Sequence, residues 1–215
     1  MRKPKAILFD MDGLMVDSEL TRAKSFKKII RKHGGKVKEK VPQVIGVRVL
    51  DNWVLMKERY GLKEDTAQLM EEGEEEYTRL IEADMPIAMP GLFQLIEYLK
   101  KTKLKRAVVS SAGIKHIKIK LDKLKLTDFF EVIVSGDMLT KGKPDPEGYL
   151  LAAAKLGVVP EECLVLEDAP SGIRAAKAAK MSCIAIPSFY TKNGDFSGAD
   201  FILKNLEEVI SILKY

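Results

Sequence analysis

Two cysteines, two histidines and one tryptophan in 215 residues remove several classes of function at once. Cys163 and Cys183 each lie inside an apolar, strand-like run, with no second cysteine at metal-ligand spacing. That excludes a zinc finger and a disulfide framework and predicts two buried thiols. His33 and His116 stand among lysines on no motif and are expected at the surface. No apolar run approaches the length of a bilayer span, and Arg2 and Lys3 precede only the short run Ala6 to Phe9, so no membrane partner and a cytoplasmic location are expected. The net charge of +5 is modest. Its densest stretch, "KHIKIKLDKLK" from Lys115 to Lys125, alternates lysine with isoleucine and leucine and carries no aromatics. A solvated lysine face on a surface helix is expected there rather than a nucleic-acid groove, with a general pull on small anions left over.

What is present is a rhythm. Short runs rich in valine and isoleucine recur at Ala6–Phe9, Arg106–Val109, Val132–Val134, Leu164–Leu166, Cys183–Ile186 and Phe201–Leu203. Between them lie helical patterns with start signals: Pro90-Gly91 before Leu92–Lys101, Asp145-Pro146 before Glu147–Lys155, and Ser171-Gly172 before Ile173–Lys180. Continuous apolar strands alternating with helices predict a doubly wound, Rossmann-like parallel α/β sheet covered on both faces. One interval interrupts it. From Ser18 to about Ala88 only helical patterning is read, over Leu20–His33, Leu50–Tyr60 and Asp65–Ala83. The expected organisation is therefore a core of residues 1–17 and 86–215 with an all-helical cap of residues 18–85, hinged near Val16–Ser18 and Met85–Pro90.

In an open α/β sheet ligands bind beyond the carboxyl ends of the strands, so the residues that follow each run carry the functional information. The first run ends in Asp10 and Asp12, "AVVSSAG" in Ser110 and Ser111, and "CLVLEDAPSG" in Glu167 and Asp168, while "EVIVSGDMLTKGKPDP" leads through Asp137 to Lys143. Two carboxylates one residue apart repel and are costly beside an apolar core unless a cation or a proton offsets them. Several acids, a hydroxyl and a lysine in one crevice suit a hard divalent cation and a phosphoryl group. Residues i and i+2 of a strand share a side, so Asp10 and Asp12 can both face the crevice while Gly13 permits a sharp exit. One can attack phosphorus, and the other can protonate the leaving oxygen and later activate water.

"DMDGLMVDSE", "VVSSAG", "KPDP" and "LEDAPSGI" resemble the four ordered motifs of the haloacid dehalogenase superfamily, and the helical insert resembles that of its β-phosphoglucomutase-like phosphatase branch. The resemblance implies Asp10 as nucleophile, Asp12 as general acid/base, and Ser110 and Lys143 on the phosphoryl group, with Ser111 beside them. It also implies a magnesium site from Asp10, the backbone carbonyl of Asp12, Glu167 and Asp168. Arg48 is a candidate substrate contact, and Asp17, with Ser18, is read as the N-cap of the first cap helix.

The implied function is magnesium-dependent hydrolysis of a small phosphorylated metabolite such as a sugar phosphate, by a monomer with no nucleic-acid partner. Dehalogenation needs one aspartate and no metal, and so fits poorly with Asp12 and Glu167-Asp168. A sugar-phosphate mutase shares the constellation, but mutases of this branch commonly carry a histidine where this chain has Arg22, and polar groups where it has Ala112 and Ile114. A receiver domain also accepts phosphate on aspartate, but is shorter and has no helical insert of this size. A dinucleotide-binding protein is disfavoured because no G-x-G-x-x-G follows the first strand.

Overall fold

The structure, a computed structural model, describes residues 3–37, 41 and 49–214. Its centre is a six-stranded parallel sheet formed by β1 (Ala6–Phe9), β4 (Lys105–Val109), β5 (Val132–Val134), β6 (Cys163–Glu167), β7 (Ser182–Ala185) and β8 (Phe201–Ile202), in the spatial order β5-β4-β1-β6-β7-β8. All six expected runs are strands, with ends shifted by at most one residue. The strand order reverses direction at β1, which opens a crevice above its carboxyl end.

Alternation along each strand explains the burial on both faces. Ile7, Phe9, Val108, Leu164, Leu166 and Ile184 point into one apolar layer under α4 (Leu92–Leu99) and α5 (Ile114–Lys123). Ala6, Leu8, Ala107, Val109, Cys163, Val165, Cys183 and Ala185 point into the other, under α6 (Glu147–Leu156) and α7 (Pro170–Ala178). The second layer is built largely from alanine and cysteine, so its helices can approach closely. Both cysteines are buried free thiols, as expected. A short α8 (Val209–Leu213) closes the first layer.

Among the described residues, three helices intervene between β1 and α4. α1 (Glu19–Lys32), α2 (Val49–Tyr60) and α3 (Thr66–Ala83) share an apolar cluster of their own, with Phe26, Ile29, Ile30, Trp53, Met56, Leu62 and Leu69 buried in it. Phe26 and Trp53 meet edge to face at 4.7 Å. Sequence reading missed two strands at the ends of this insert. β2 (Val16–Asp17) and β3 (Ile87–Ala88) pair antiparallel, and Met89 N–H donates to the Met15 carbonyl at 2.9 Å. At two residues each, they are too short to leave a period in the sequence. The two expected hinge points are thus hydrogen-bonded to one another, and the insert enters and leaves the sheet at one place. Asp17 belongs to β2 and is not an N-cap. Ser18 holds the cap position, with its hydroxyl turned to Asp12 instead.

Candidate active site

Four adjacent strands, β5, β4, β1 and β6, deliver polar residues to the same rim. Asp10 directly follows β1, Ser110 directly follows β4, Glu167 ends β6 with Asp168 next to it, and Lys143 comes from the loop after β5. They line one cleft of about 690 Å³ together with Asp12, Ser111 and residues of the insert, among them Ser18, Glu19, Arg22, Asn52 and Tyr77. Two glycines make the close approach possible. Gly13 turns at φ +91°, where a Cβ would lie 2.3 Å from Asp168 Oδ2, and in α7 a Cβ on Gly172 would lie 1.7 Å from Glu167 Oε1.

Among the described residues, Asp10, Glu167 and Asp168 are the acids whose ligand atoms converge, all within 4.8 Å of one another and all buried. Lys143 Nζ donates to Asp10 Oδ1 at 2.5 Å and to Glu167 Oε1 at 2.6 Å. Glu167 is fixed further by the Tyr149 hydroxyl on Oε1 at 2.6 Å and by the backbone N–H groups of Asp168 and Ala169 on Oε2 at 3.1 and 3.2 Å. Asp168 Oδ2 accepts from the Thr191 hydroxyl at 3.4 Å.

The electrostatics of this cluster are those of crowded, buried acids. Burial pushes the Asp10 carboxyl up to about 8 against the opposing pull of Lys143, with Glu167 and Asp12 adding to the rise. Burial and the Asp10 and Glu167 charges hold Asp168 well above the ordinary carboxylate range, with Ser188 opposing. Burial works against the Lys143 ammonium, yet Asp10 and Glu167 raise it above an ordinary lysine. Three crowded acids share one ammonium, so all three ionise together only when a further cation is supplied. An oxygen-only donor set of this kind fits a hard divalent cation such as magnesium.

Asp12 faces elsewhere. The chain beyond Phe9 is no longer a regular strand, so the two aspartates diverge although both line the cleft. Asp12 Oδ1 accepts from the Ser18 hydroxyl and pairs with the Lys120 ammonium, and Oδ2 accepts from the Ser110 hydroxyl at 3.5 Å. Burial opposes ionisation of Asp12, but Lys120, Ser18 and Arg22 outweigh it and hold the carboxyl below its usual range. Its carboxylate is not part of the acid cluster. Ser110 also accepts from the Ala112 N–H at 3.1 Å. Asp137 caps the start of α5, accepting from the Ile114 N–H at 2.6 Å. Arg48 lies outside the described residues.

Two expectations from the lysine-rich stretch are corrected here. Lys120 is 2% exposed, not solvated: it sits one turn from Ile117 and Leu124 on the buried stripe of α5, where Asp12 supplies the counter-charge. His116 is also buried. Its Nε2 lies 2.7 Å from the Thr78 hydroxyl of α3, and its Nδ1 lies 3.1 Å from Glu74 Oε2. His33 is half-buried between Glu64 and Glu72. Reading the run as alternating lysines hid these contacts, whereas the 3–4 spacing of Ile117, Lys120, Leu121 and Leu124 carries the signal. Tyr149 gave no separate signal, because a tyrosine on the apolar face of a helix reads as core.

Comparison with known proteins places the chain in a family. The family model for haloacid dehalogenase-like hydrolases matches residues 7–186. A phosphorylated carbohydrates phosphatase of Thermotoga maritima is 29% identical over 213 residues, covering 98% of each chain. Hexitol phosphatase B of Escherichia coli K12 is 30% identical over 214 residues, covering 97% of this chain and 95% of its own. The crystal structure of CbbY from Rhodobacter sphaeroides in complex with phosphate superposes with a TM-score of 0.86 at 26% identity, covering 99% of this chain and all of that one. With the four motifs gathered at one sheet edge and the family match spanning most of the sequence, the chain belongs to the haloacid dehalogenase-like hydrolases.

Proposed function

We propose that the protein is a magnesium-dependent phosphatase that hydrolyses a small phosphomonoester of the sugar-phosphate kind through a phosphoryl group carried on Asp10. The observation that carries this reading is the cluster of Asp10, Glu167 and Asp168 around Lys143, with Asp12 held separately beside it. The relatives named as phosphatases of phosphorylated carbohydrates and hexitols support the substrate class.

The chemistry assigned to these residues is a pair of in-line displacements. An Asp10 carboxylate oxygen forms a bond to phosphorus as the bond to the ester oxygen breaks, and Asp12, which takes up a proton from solvent as the anionic substrate enters, gives it to that departing oxygen. Water then takes the place of the leaving alcohol. Asp12 removes its proton, the water oxygen bonds to phosphorus, and the bond to Asp10 breaks to free inorganic phosphate. Ser110, Ser111 and Lys143 hold the phosphoryl oxygens, Lys143 countering the charge that spreads onto them. Asp10, Glu167 and Asp168, with the Asp12 carbonyl, would hold magnesium, which when bound offsets the carboxylates so that an anionic substrate can approach. The helical insert shares the cleft and acts as a lid that keeps bulk water from the phosphoryl group.

Hydrolysis is favoured over phosphoryl return to a sugar. Arg22, at the position where the mutase branch commonly has histidine, pairs with Glu74 and stacks 3.4 Å above the Tyr77 ring, and a guanidinium does not give up its proton. The strand order also differs from that of receiver domains, in which the first strand lies second from the edge. The test is a panel of phosphomonoesters assayed for released phosphate with magnesium and with excess chelator. Multiple turnovers with magnesium alone support the reading, and turnover undiminished in chelator contradicts it.

A further inference from the structure

The displacements above leave Lys120 without a part. Its ammonium belongs to the sheet-side helix α5, yet it lies 5.3 Å from the ring centroid of Tyr77 on α3 of the insert. It pairs with the same Asp12 oxygen that accepts from Ser18, so Oδ1 is fastened from two directions. Oδ2 meets the Ser110 hydroxyl at a long 3.5 Å, and Asp12 and Ser110 both line the cleft. Oδ1 is thus held by two donors and Oδ2 by one long contact.

The roof over Lys120 is itself held by contacts between α3 and its neighbours. Arg22 stacks on Tyr77 and pairs with Glu74, while Thr78 and Glu74 reach His116, one turn before Lys120 on α5. A buried ammonium is tolerated only while its partners stay in place. Lifting α3 from α5 would expose Lys120 to water and weaken its hold on Asp12.

We propose that Lys120 is a positioning residue that fixes the Asp12 carboxylate for proton transfer, and that it does so only while Tyr77 of the insert is seated over it. This rests on the phosphatase reading above.

The experiment compares kcat/KM for two substrates, p-nitrophenyl phosphate, whose phenolate leaves without a proton, and an alkyl phosphate such as glucose 6-phosphate, whose alkoxide requires one. Wild type, Lys120→Met, Tyr77→Leu and the double variant are measured with saturating magnesium, and folding is checked by melting temperature. General acid catalysis contributes about 10²–10⁴-fold, so Lys120→Met is expected to lose roughly 10- to 100-fold on the alkyl phosphate and less than about threefold on the aryl one. Tyr77→Leu shows the same selectivity, and the double variant loses no more than Lys120→Met alone. Equal losses on both substrates, no loss, or additive losses overturn the proposal. Should Lys120→Met fail to fold, Tyr77→Leu gives the same ratio and decides alone. A wild type that hydrolyses neither substrate would instead defeat the phosphatase reading, which keeps the two failures apart.

Discussion

The ammonium of Lys143 and the carboxylate of Asp10 meet at 2.5 Å across 133 positions of sequence, and a second acid, Glu167, shares the same ammonium. This contact joins the loop after β5 to the end of β1 and sets the charge balance of the cleft. Lys143→Met leaves three buried acids without their cation. Turnover is expected to fall by at least about 10²-fold. The magnesium-free protein is expected to lose about 3 kcal/mol, the low end for breaking a buried pair, because Asp10 can take up a proton. Steady-state kinetics and denaturant melts in chelator measure both.

Magnesium and pH should act together on stability. With no cation bound, Asp10 titrates at about 8 when folded, against an ordinary carboxylate value when unfolded. Between those values the folded state holds the extra proton, so stability falls as pH rises and is lost fully above the folded value. Glu19, pushed up to about 7 by burial and by Asp12, and His33, raised by its hydrogen bond to Glu72, add changes of the same sign. Asp12, held low, contributes a constant above its unfolded value. Cation binding to the three acids opposes only the cluster's share. The melting temperature in chelator should therefore drop from pH 5 to pH 8.5, and the increment from magnesium should be largest at the alkaline end. An increment that does not vary with pH would count against the site.

Gly172→Ala tests packing against propensity. Alanine is favoured over glycine inside a helix by about 1 kcal/mol, yet here the new Cβ would collide with Glu167. The variant is expected to be less stable than wild type by about 1–3 kcal/mol and to lose turnover, because displaced Glu167 releases Lys143. Chemical denaturation and a phosphate-release assay check the sign of each change.

Tyr149→Phe removes one hydroxyl donor from Glu167 Oε1. A hydrogen bond to a buried charged acceptor contributes about 1.5–3 kcal/mol, and magnesium binding should weaken as Glu167 loosens. Titration of the melting temperature with magnesium detects the shift without recourse to activity.

Much of this was legible from the chain. Asp10, Ser110, Glu167 and Asp168 are placed at one edge because each follows an apolar run of strand length, Lys143 because it lies in the loop that follows another, and parallel strands deliver their ends to a common rim. β2 and β3 were not legible: a two-residue strand carries no period, and its pairing is set by where the insert returns. Lys120 was misread because alternation of charge along a sequence resembles a solvated face, while the partner that makes its burial tolerable, Asp12, lies 108 positions away. His116 was misread for the same reason, its partners being Thr78 and Glu74 on another helix. Charge pairs between distant segments leave no local trace, whereas strand ends do.

The central claim is that Asp10 carries the phosphoryl group. Rapid quenching of the magnesium-bound enzyme with a ³²P-labelled phosphomonoester, followed by peptide mapping, tests it most directly. The account predicts hydroxylamine-labile label on the peptide containing Asp10, and none in Asp10→Asn, which stays folded. Label on another residue, or full turnover by Asp10→Asn, would contradict it.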